Sequence, residues 1–164
     1  MFISTERLEL ILLDAHQMRL WLNDLPKLEK ELNCSYKGEA LEGLFHKIVE
    51  GQTFLTERNE NEYYWHSFWF LVRKSDRAVI GSADFKTGPN EKGEVEIGYG
   101  LSKEFEHNGY MTEAVRAMCL WAKAQSGVSH VIAETYLDNA PSQNILKRCG
   151  FVETKRNDSI WWRL

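Results

Sequence analysis

The sequence has few cysteines and no pairing pattern among them. Cys34, Cys119 and Cys149 form an odd, widely spaced set of three with no CxxC pair, so neither a zinc site nor a disulfide framework is indicated. Cys119 falls in a helical pattern and Cys149 precedes a glycine, places that suit small buried thiols. A basic excess is also missing. The chain has 20 Lys+Arg against 24 Asp+Glu, a net charge of −4, which argues against nucleic acid as a partner. No window approaches the roughly 18 apolar residues of a membrane span. Glu6, Arg7 and Glu9 break up any apolar run near the start, so no signal-peptide layout is read there and the expected compartment is the cytoplasm, with no membrane partner. His16, His46, His66, His107 and His130 are too scattered for metal-ligand spacing, and no metal is expected. With no repeat, linker or low-complexity tract, the 164 residues read as a single domain, 1–164, large enough for its own core.

What is present reads as alternating strands and helices. Arg7 to Leu13 is an apolar-rich opening strand, and Asp14 is placed to cap a helix through Trp21 and Leu22. A second helix is expected over Leu25 to Leu32, with Pro26 in its first turn. Leu41, Leu44, Phe45, Ile48 and Val49 recur at helical spacing, which predicts a helix over Glu39 to Arg58. Ser67 to Arg73, Ala78 to Lys86 and Val95 to Leu101 form three antiparallel strands separated by turn clusters. A helix over Thr112 to Gln125 places Met111, Ala114, Val115, Met118, Trp121 and Ala122 on its buried face. A strand over Val128 to Leu137, a helix ending at Cys149 and Gly150, and a last pair of strands complete the chain. This order is that of an α+β protein with a mixed sheet, not a doubly wound one.

Glu94 to Met118 carries the functional signal. A strand with two glycines runs through a polar turn into Gly109, which opens the helix. His107 to Thr112 would then present consecutive backbone N–H groups at a helix start, the arrangement a phosphate needs. Thr112 adds a hydroxyl. There is no GxxxxGK[ST], and Gly98-Tyr99-Gly100 lies inside the strand, so neither an NTPase loop nor a dinucleotide fingerprint is supported. On local features alone, an ordinary strand–turn–helix with a capping loop is the simpler account. The strand glycines shift the balance, because a glycine in a strand often marks a bulge or a close approach by a ligand. Strict alternation puts Glu94, Glu96, Gly98 and Gly100 on one face, opposite Val95, Ile97, Tyr99 and Leu101.

The run from Glu96 to Phe151 resembles the core of the GNAT superfamily of acyl-CoA-dependent N-acyltransferases, and is most similar to the branch that includes the ribosomal-protein N-terminal acetyltransferases. EIGYGLSKEFEHNGYMTEAVRAM matches that family's strand, pyrophosphate loop and helix, and VIAETYLDNAPSQNILKRCGF its following strand and helix. STERLEL at Ser4 to Leu10 and the closing IWWRL extend the likeness over nearly the whole chain. Three positions depart from the family pattern. Glu106 stands where a neutral or cationic side chain is usual, Met111 where a small residue is usual, and Leu146 where many members carry an acidic tyrosine.

The resemblance implies a GNAT-like fold: a twisted, mostly antiparallel central sheet with one splayed strand pair and helices on both faces. It implies transfer of an acetyl group from acetyl-CoA to a primary amine, of a peptide N-terminus or a small molecule, by direct attack. On that reading Glu106, His107, Asn108, Gly109, Tyr110, Met111 and Thr112 bind the cofactor's phosphates. Backbone groups near Tyr99 and Leu101, with Asn139 and Ser142, hold its pantetheine arm. Glu96 is the expected catalytic base acting through water, set against a plain solvated or salt-bridged strand carboxylate. Asn139 and Ser142 would equally serve as a helix cap. The six tryptophans are expected to build the core, with a subset lining an acceptor pocket or a homodimer contact. Two further readings stand beside the enzyme: an acyl-CoA-binding module without catalysis, and a purely structural interaction domain.

Overall fold

The computed structural model describes residues 1–164. In chain order the elements are β1 (Phe2–Ser4), β2 (Leu8–Leu12), α1 (Ala15–Asn23), α2 (Leu25–Leu32), β3 (Ser35–Tyr36), α3 (Gly43–Arg58), β4 (Phe68–Arg73), β5 (Ala78–Phe85), β6 (Glu94–Leu101), α4 (Tyr110–Lys123), β7 (His130–Tyr136), α5 (Ala140–Arg148), β8 (Val152–Arg156) and β9 (Ser159–Arg163). Short 3-10 turns sit at Tyr63–Trp65 and Lys103–Phe105. One nine-stranded sheet runs in the order β1-β2-β4-β5-β6-β7-β9-β8, with β3 beside β5. Only β3–β5 and β6–β7 are parallel pairs, so the expected mostly antiparallel sheet is present.

Helix ends follow local chemistry. Asp14 caps α1 through Gln17 N, and the Gln17 side chain returns the bond to the Asp14 backbone, a full capping box. Asn33 closes α2 in the left-handed region (φ 49°) and Pro26 occupies its first turn. The helix expected from Glu39 instead begins at Gly43. Residues before it are drawn away from a helical path because Ser102 Oγ donates to the Lys37 carbonyl and Tyr36 Oη to the Glu39 carbonyl. Only part of that helix's apolar periodicity faces a core. Val49 is fully buried and Phe45 packs against the core, whereas Leu44 is 71% exposed and Ile48 44%. Ile48 lines a cleft described below, which explains its apolar character without burial.

The sheet has a hydrophobic layer on each face. On one, α4 and α5 cover Leu8, Leu10, Trp69, Ile80, Val95 and Ile97. On the other, α1, α2 and α3 cover Phe68, Phe70, Val72 and Val79. Strand β4 therefore alternates between two cores and is buried along its length except at Arg73. The tryptophans build these layers as expected. Trp65, Trp69 and Trp162 belong to the larger core and Trp21 to the smaller, while Trp121 is only half-buried and stacks on Phe85.

One irregularity sets the chemistry of the cleft. Leu71 pairs with Gly81 and Val72 with Val79, so Ile80 is an extra residue in β5. Before this bulge Ala78 and Ile80 face the larger core, and after it Ala83 and Phe85 do. A one-residue slip exchanges the faces of a strand. Without it, the parity of Ala78 and Ile80 would drive Ser82 and Asp84 into the larger core. With it, the facing pairs Asp84/Gly98 and Ser82/Gly100 turn to the side of α3.

Gly81, next to the bulge, has no room for a side chain. A Cβ there would strike the Gly100 carbonyl and lie 3.1 Å from Leu101 Cα, both backbone atoms of β6. Gly81→Ala is therefore expected to cost about 1–3 kcal/mol, the usual range for overpacking. A urea midpoint equal to that of the unsubstituted protein would contradict this close approach.

Candidate active site

Strands β6 and β7 are paired only at Glu94–His130, Val95–Val131 and Glu96–Ile132, although β6 continues to Leu101. Beyond Glu96 they part. On the other side β6 remains paired with β5 to Leu101, with Lys86 N donating to the Glu96 carbonyl and Ser102 N to the Ile80 carbonyl. In an antiparallel ladder, alternate residues turn their backbone groups to the same neighbour. Glu96, Gly98 and Gly100 thus bond β5, and the N–H and C=O of Tyr99 and Leu101 point into the gap left by β7. The expected splayed pair is present, and these four groups are its polar edge.

The loop that follows ends in a row of unused donors. His107 (φ 64°) and Gly109 (φ 78°) are both left-handed, and Gly109 is the N-cap of α4. The first helical bond runs from Glu113 N to the Gly109 carbonyl. Every backbone N–H from His107 through Thr112 lacks an acceptor within the protein. Consecutive free N–H groups at a helix N-terminus form an anion cradle, and this arrangement fits the pyrophosphate of acetyl-CoA.

The sequence departures in this loop become intelligible in three dimensions. Met111 is 3% exposed and its side chain joins the larger core, so it contributes an N–H and takes no room from a ligand. Tyr110 packs under Arg7, whose guanidinium carbon lies 4.4 Å from the ring centre. The Asn108 side chain bonds the carbonyls of Phe105 and Glu106 and so braces the loop. Glu106 is partly exposed, with His107 Nε2 4.0 Å from its carboxylate. Thr112 is buried, and its carbonyl receives the Cys149 thiol at 3.6 Å. Leu146 is fully buried in the larger core, so no proton donor stands at that position.

A clasp that local sequence does not reveal holds the loop in place. Glu113 accepts from Thr5 Oγ1 (2.6 Å), Arg7 N (2.7 Å) and Arg7 Nε (2.8 Å), while Arg7 Nη1 donates to the Asn108 carbonyl (2.8 Å). Burial alone would raise the Glu113 carboxyl, but the bonds from Thr5 and Arg7 outweigh it and hold it below the ordinary carboxylate range. Arg7 thus ties β2 to both the loop and the first turn of α4. The partners lie over a hundred residues apart in the chain, with no local motif to announce them.

At the far side of the gap, Asn139 caps α5 by accepting from Ser142 N (3.2 Å). Ser142 Oγ meets Tyr99 Oη at 2.9 Å, so the β6 side chain reaches the start of α5. Burial pushes the Tyr99 hydroxyl up to about 12, with the Ser142 bond acting against that rise. Asn139 and Ser142 do cap the helix, and Ser142 also faces the splay.

On the opposite face of β6, the glycines open a cleft of ≈ 600 Å³ against α3, lined by Glu39, Lys47, Gln52, Ser82, Asp84, Lys86 and the backbone of Gly98, Tyr99 and Gly100. Gly98 and Gly100 do share a face with Glu96. The Glu96 carboxylate, however, is ion-paired with Lys86 Nζ at 2.5 Å. Asp84 is the carboxylate that residue patterns alone passed over, although a lone acid within the otherwise buried run AVIGSADF was a signal. It is 7% exposed, and no hydrogen bond reaches its carboxylate. A Cβ on Gly98 would lie 2.7 Å from Asp84 Oδ1, so the carboxylate occupies the space that the glycine vacates. Burial, reinforced by the Glu96 charge and opposed by Lys86, pushes Asp84 up to about 7. No helix is long and apolar enough to cross a membrane, and no cluster of three metal-binding side chains is present.

The model of the acetyltransferase (GNAT) domain matches residues 11–152. The uncharacterized N-acetyltransferase YjdG of Bacillus subtilis is 28% identical over 153 residues, covering 87% of this chain and 90% of that protein. The ribosomal L7/L12 alpha-N-protein acetyltransferase RimL, solved in complex with coenzyme A, superposes with a TM-score of 0.71 at 14% identity, over 100% of this chain and 97% of that one. The ribosomal-protein-S5-alanine acetyltransferase of Vibrio fischeri gives 0.70 at 17%, over 100% and 96%. At these identities the solved structures attest the fold.

The raised Asp84 carboxyl has a thermodynamic consequence. Between its unfolded value of roughly 4 and its folded value of about 7, the native state holds the extra proton, so stability falls as pH rises through this window. Above it the full cost of a buried charge is present. Asp84→Asn should therefore raise Tm at pH 8, by on the order of 5 °C, and the gain should fade toward pH 4. Thermal melts at both pH values test this, and a pH-independent difference would refute it.

Proposed function

The chain belongs to the GNAT family of acetyl-CoA-dependent N-acetyltransferases, and we propose that it acetylates a primary amine, a peptide N-terminus or a small molecule, by direct attack on the thioester. One observation carries the proposal: the row of free N–H groups from His107 to Thr112 begins beside the splay that bares the backbone of Tyr99 and Leu101. An anion cradle next to an unpaired strand edge suits a molecule with a pyrophosphate at one end and an amide-rich arm at the other.

In this reading the loop backbone from Glu106 to Thr112 holds the phosphates through geometry, not side-chain charge, with Arg7 and Asn108 fixing the loop. The unpaired groups of Tyr99 and Leu101 bond the pantetheine arm as a missing strand would, and Asn139 and Ser142 approach it from α5. Acetyl-CoA supplies an activated acyl group whose carbonyl oxygen gains negative charge as the amine attacks. Free N–H donors on the β6 edge are suited to stabilise that charge. The thiolate that departs needs a proton, and the hydroxyl pair of Tyr99 and Ser142 stands at the mouth of the splay where Leu146 offers none. The amine must shed a proton before attack, and carboxylates able to take it lie on the cleft side of the sheet.

Two observations bear on the acceptor. Ribosomal-protein α-amines are the acceptors named for fold neighbours. Ile48 and Leu55 also leave an apolar stripe exposed on α3 along the cleft, a rim suited to side chains of an extended acceptor. The rival reading, a module that binds acyl-CoA without turnover, draws on Leu146.

Saturating acetyl-CoA, at about 100 times Kd, should stabilise the protein by about 2.7 kcal/mol. Gly109→Ala must hold an alanine at φ 78° with its Cβ 3.4 Å from Arg7 Nη2, and is expected to weaken acetyl-CoA binding about 10-fold, a change of about 1.4 kcal/mol. Thiol release from acetyl-CoA should be measured with Ser-, Ala- and Met-initiated peptides, spermidine, an aminoglycoside and free amino acids. Tight acetyl-CoA binding with no release on any of these amines would favour the non-catalytic module.

A further inference from the structure

We propose that Asp84, and not Glu96, takes the proton from the acceptor's ammonium group, with the Lys86–Glu96 pair positioned beside it. The inference rests on the transferase reading and names a catalytic residue within it.

The two carboxylates differ in what they are free to do. Glu96 lies on the last paired residue of β6 before the splay and is engaged by Lys86. A proton delivered to it must displace an ammonium already in contact. Asp84 sits directly across from Gly98, two residues further along β6, where the strand has already parted from β7 and next to Tyr99 with its free backbone groups. It lines the cleft and has no hydrogen-bond donor. A buried carboxylate without a donor is costly unless something else satisfies it. An incoming alkylammonium would do so. The glycine opposite is what makes the site: a Cβ on Gly98 would displace the carboxylate, whereas one on Gly100 would meet Glu39 Oε2 only at an ordinary 3.8 Å. The β5 bulge is what turns this residue out of the core.

The charged groups facing Asp84 are Lys86 just past the end of its own strand, Glu96 on β6, Lys47 of α3 and Glu39 ahead of α3; Glu134 on β7 acts on Lys86 in turn. Burial raises the Asp84 carboxyl, Lys86 restrains that rise and Glu96 adds to it, which leaves the group near neutrality, where a general base is most effective. The step balances as follows. The Asp84 carboxylate accepts one proton from R–NH3⁺, and the lone pair so exposed forms the N–C bond to the thioester carbonyl carbon. The C–S bond breaks and the sulfur leaves with its electron pair. The sulfur takes a proton through the Tyr99–Ser142 hydroxyl pair, the second nitrogen proton replaces it there, giving the thiol, and Asp84 returns its proton to solvent.

The test is the pH dependence of kcat/KM for wild type, Asp84→Asn, Asp84→Glu and Glu96→Gln, using whichever amine of the panel above is turned over fastest, with acetyl-CoA affinity measured for each. Asp84→Asn should lose at least ~100-fold in kcat/KM, keep its acetyl-CoA affinity, and lack the break near pH 7. Asp84→Glu should restore a break. Glu96→Gln should stay within about 10-fold of wild type and show its break at lower pH, because a negative neighbour has been removed. An Asp84→Asn protein with the wild-type rate and break would overturn the assignment, as would loss of the break in Glu96→Gln alone. Should Asp84→Asn fail to fold, an unmoved break in Glu96→Gln would still count against it. Wild type that binds acetyl-CoA yet acetylates no amine would instead sink the transferase reading, and this inference with it.

Discussion

The proposed function depends on two strands that stop pairing. Backbone N–H and C=O groups inside a protein are nearly always bonded, and β6 abandons that rule on one side after Glu96 while keeping it on the other. A sheet that had closed over this gap would be better satisfied and would have no place for a pantetheine arm. The parting of β6 from β7 leaves the edge of Tyr99 and Leu101 as a ladder of unpaired acceptors and donors. It also brings the start of α5 and the start of α4 to the same opening, because each helix follows one of the two strands. The rest of the fold keeps the gap open: α4 and α5 pack on one face of the sheet, α1 to α3 on the other, and the Arg7–Glu113 clasp prevents the loop from drifting across it.

Much of this was legible in the chain because it is local. Strand, turn, left-handed glycine and amphipathic helix follow one another between Glu94 and Lys123, and each is fixed by residues within a few positions of itself. The helix cap at Asp14 and the span of α2 with Pro26 in its first turn were readable for the same reason. So was the mostly antiparallel sheet, which follows from short turns between successive strands. What escaped is what depends on distant partners. The first turn expected at Glu39 gave way to bonds from Tyr36 and Ser102. Leu44 and Ile48 repeat at helical spacing, yet Leu44 is exposed and Ile48 lines a cleft and not a core.

The carboxylates show the limit most plainly. Glu96 carries an acid on the predicted strand face, and alternation put it there correctly. Alternation also hides Asp84, since a regular β5 would place it with Ala78 and Ile80 in the larger core, where an acid would be untenable. Only the extra residue at Ile80 resolves that conflict, and a bulge leaves no reliable trace in composition. The pairing of Glu96 with Lys86 is equally invisible to a reader of single strands, although the two residues face each other across a hairpin. The folded protein therefore holds two neighbouring acids in different electrical states, one paired with a lysine and one with no hydrogen-bond donor.

The contact between Asp84 and Gly98 also bears on how such a chain can change over generations. The carboxylate fills the volume of a missing side chain on the neighbouring strand, so the two positions form one unit of inheritance. Any residue larger than glycine at 98 evicts the acid from its seat. A lineage that gives up the acid is released from the need for glycine, while one that keeps it is not. The path from this cleft to one with a different acceptor therefore has an order, in which position 84 must yield before position 98 is free to explore.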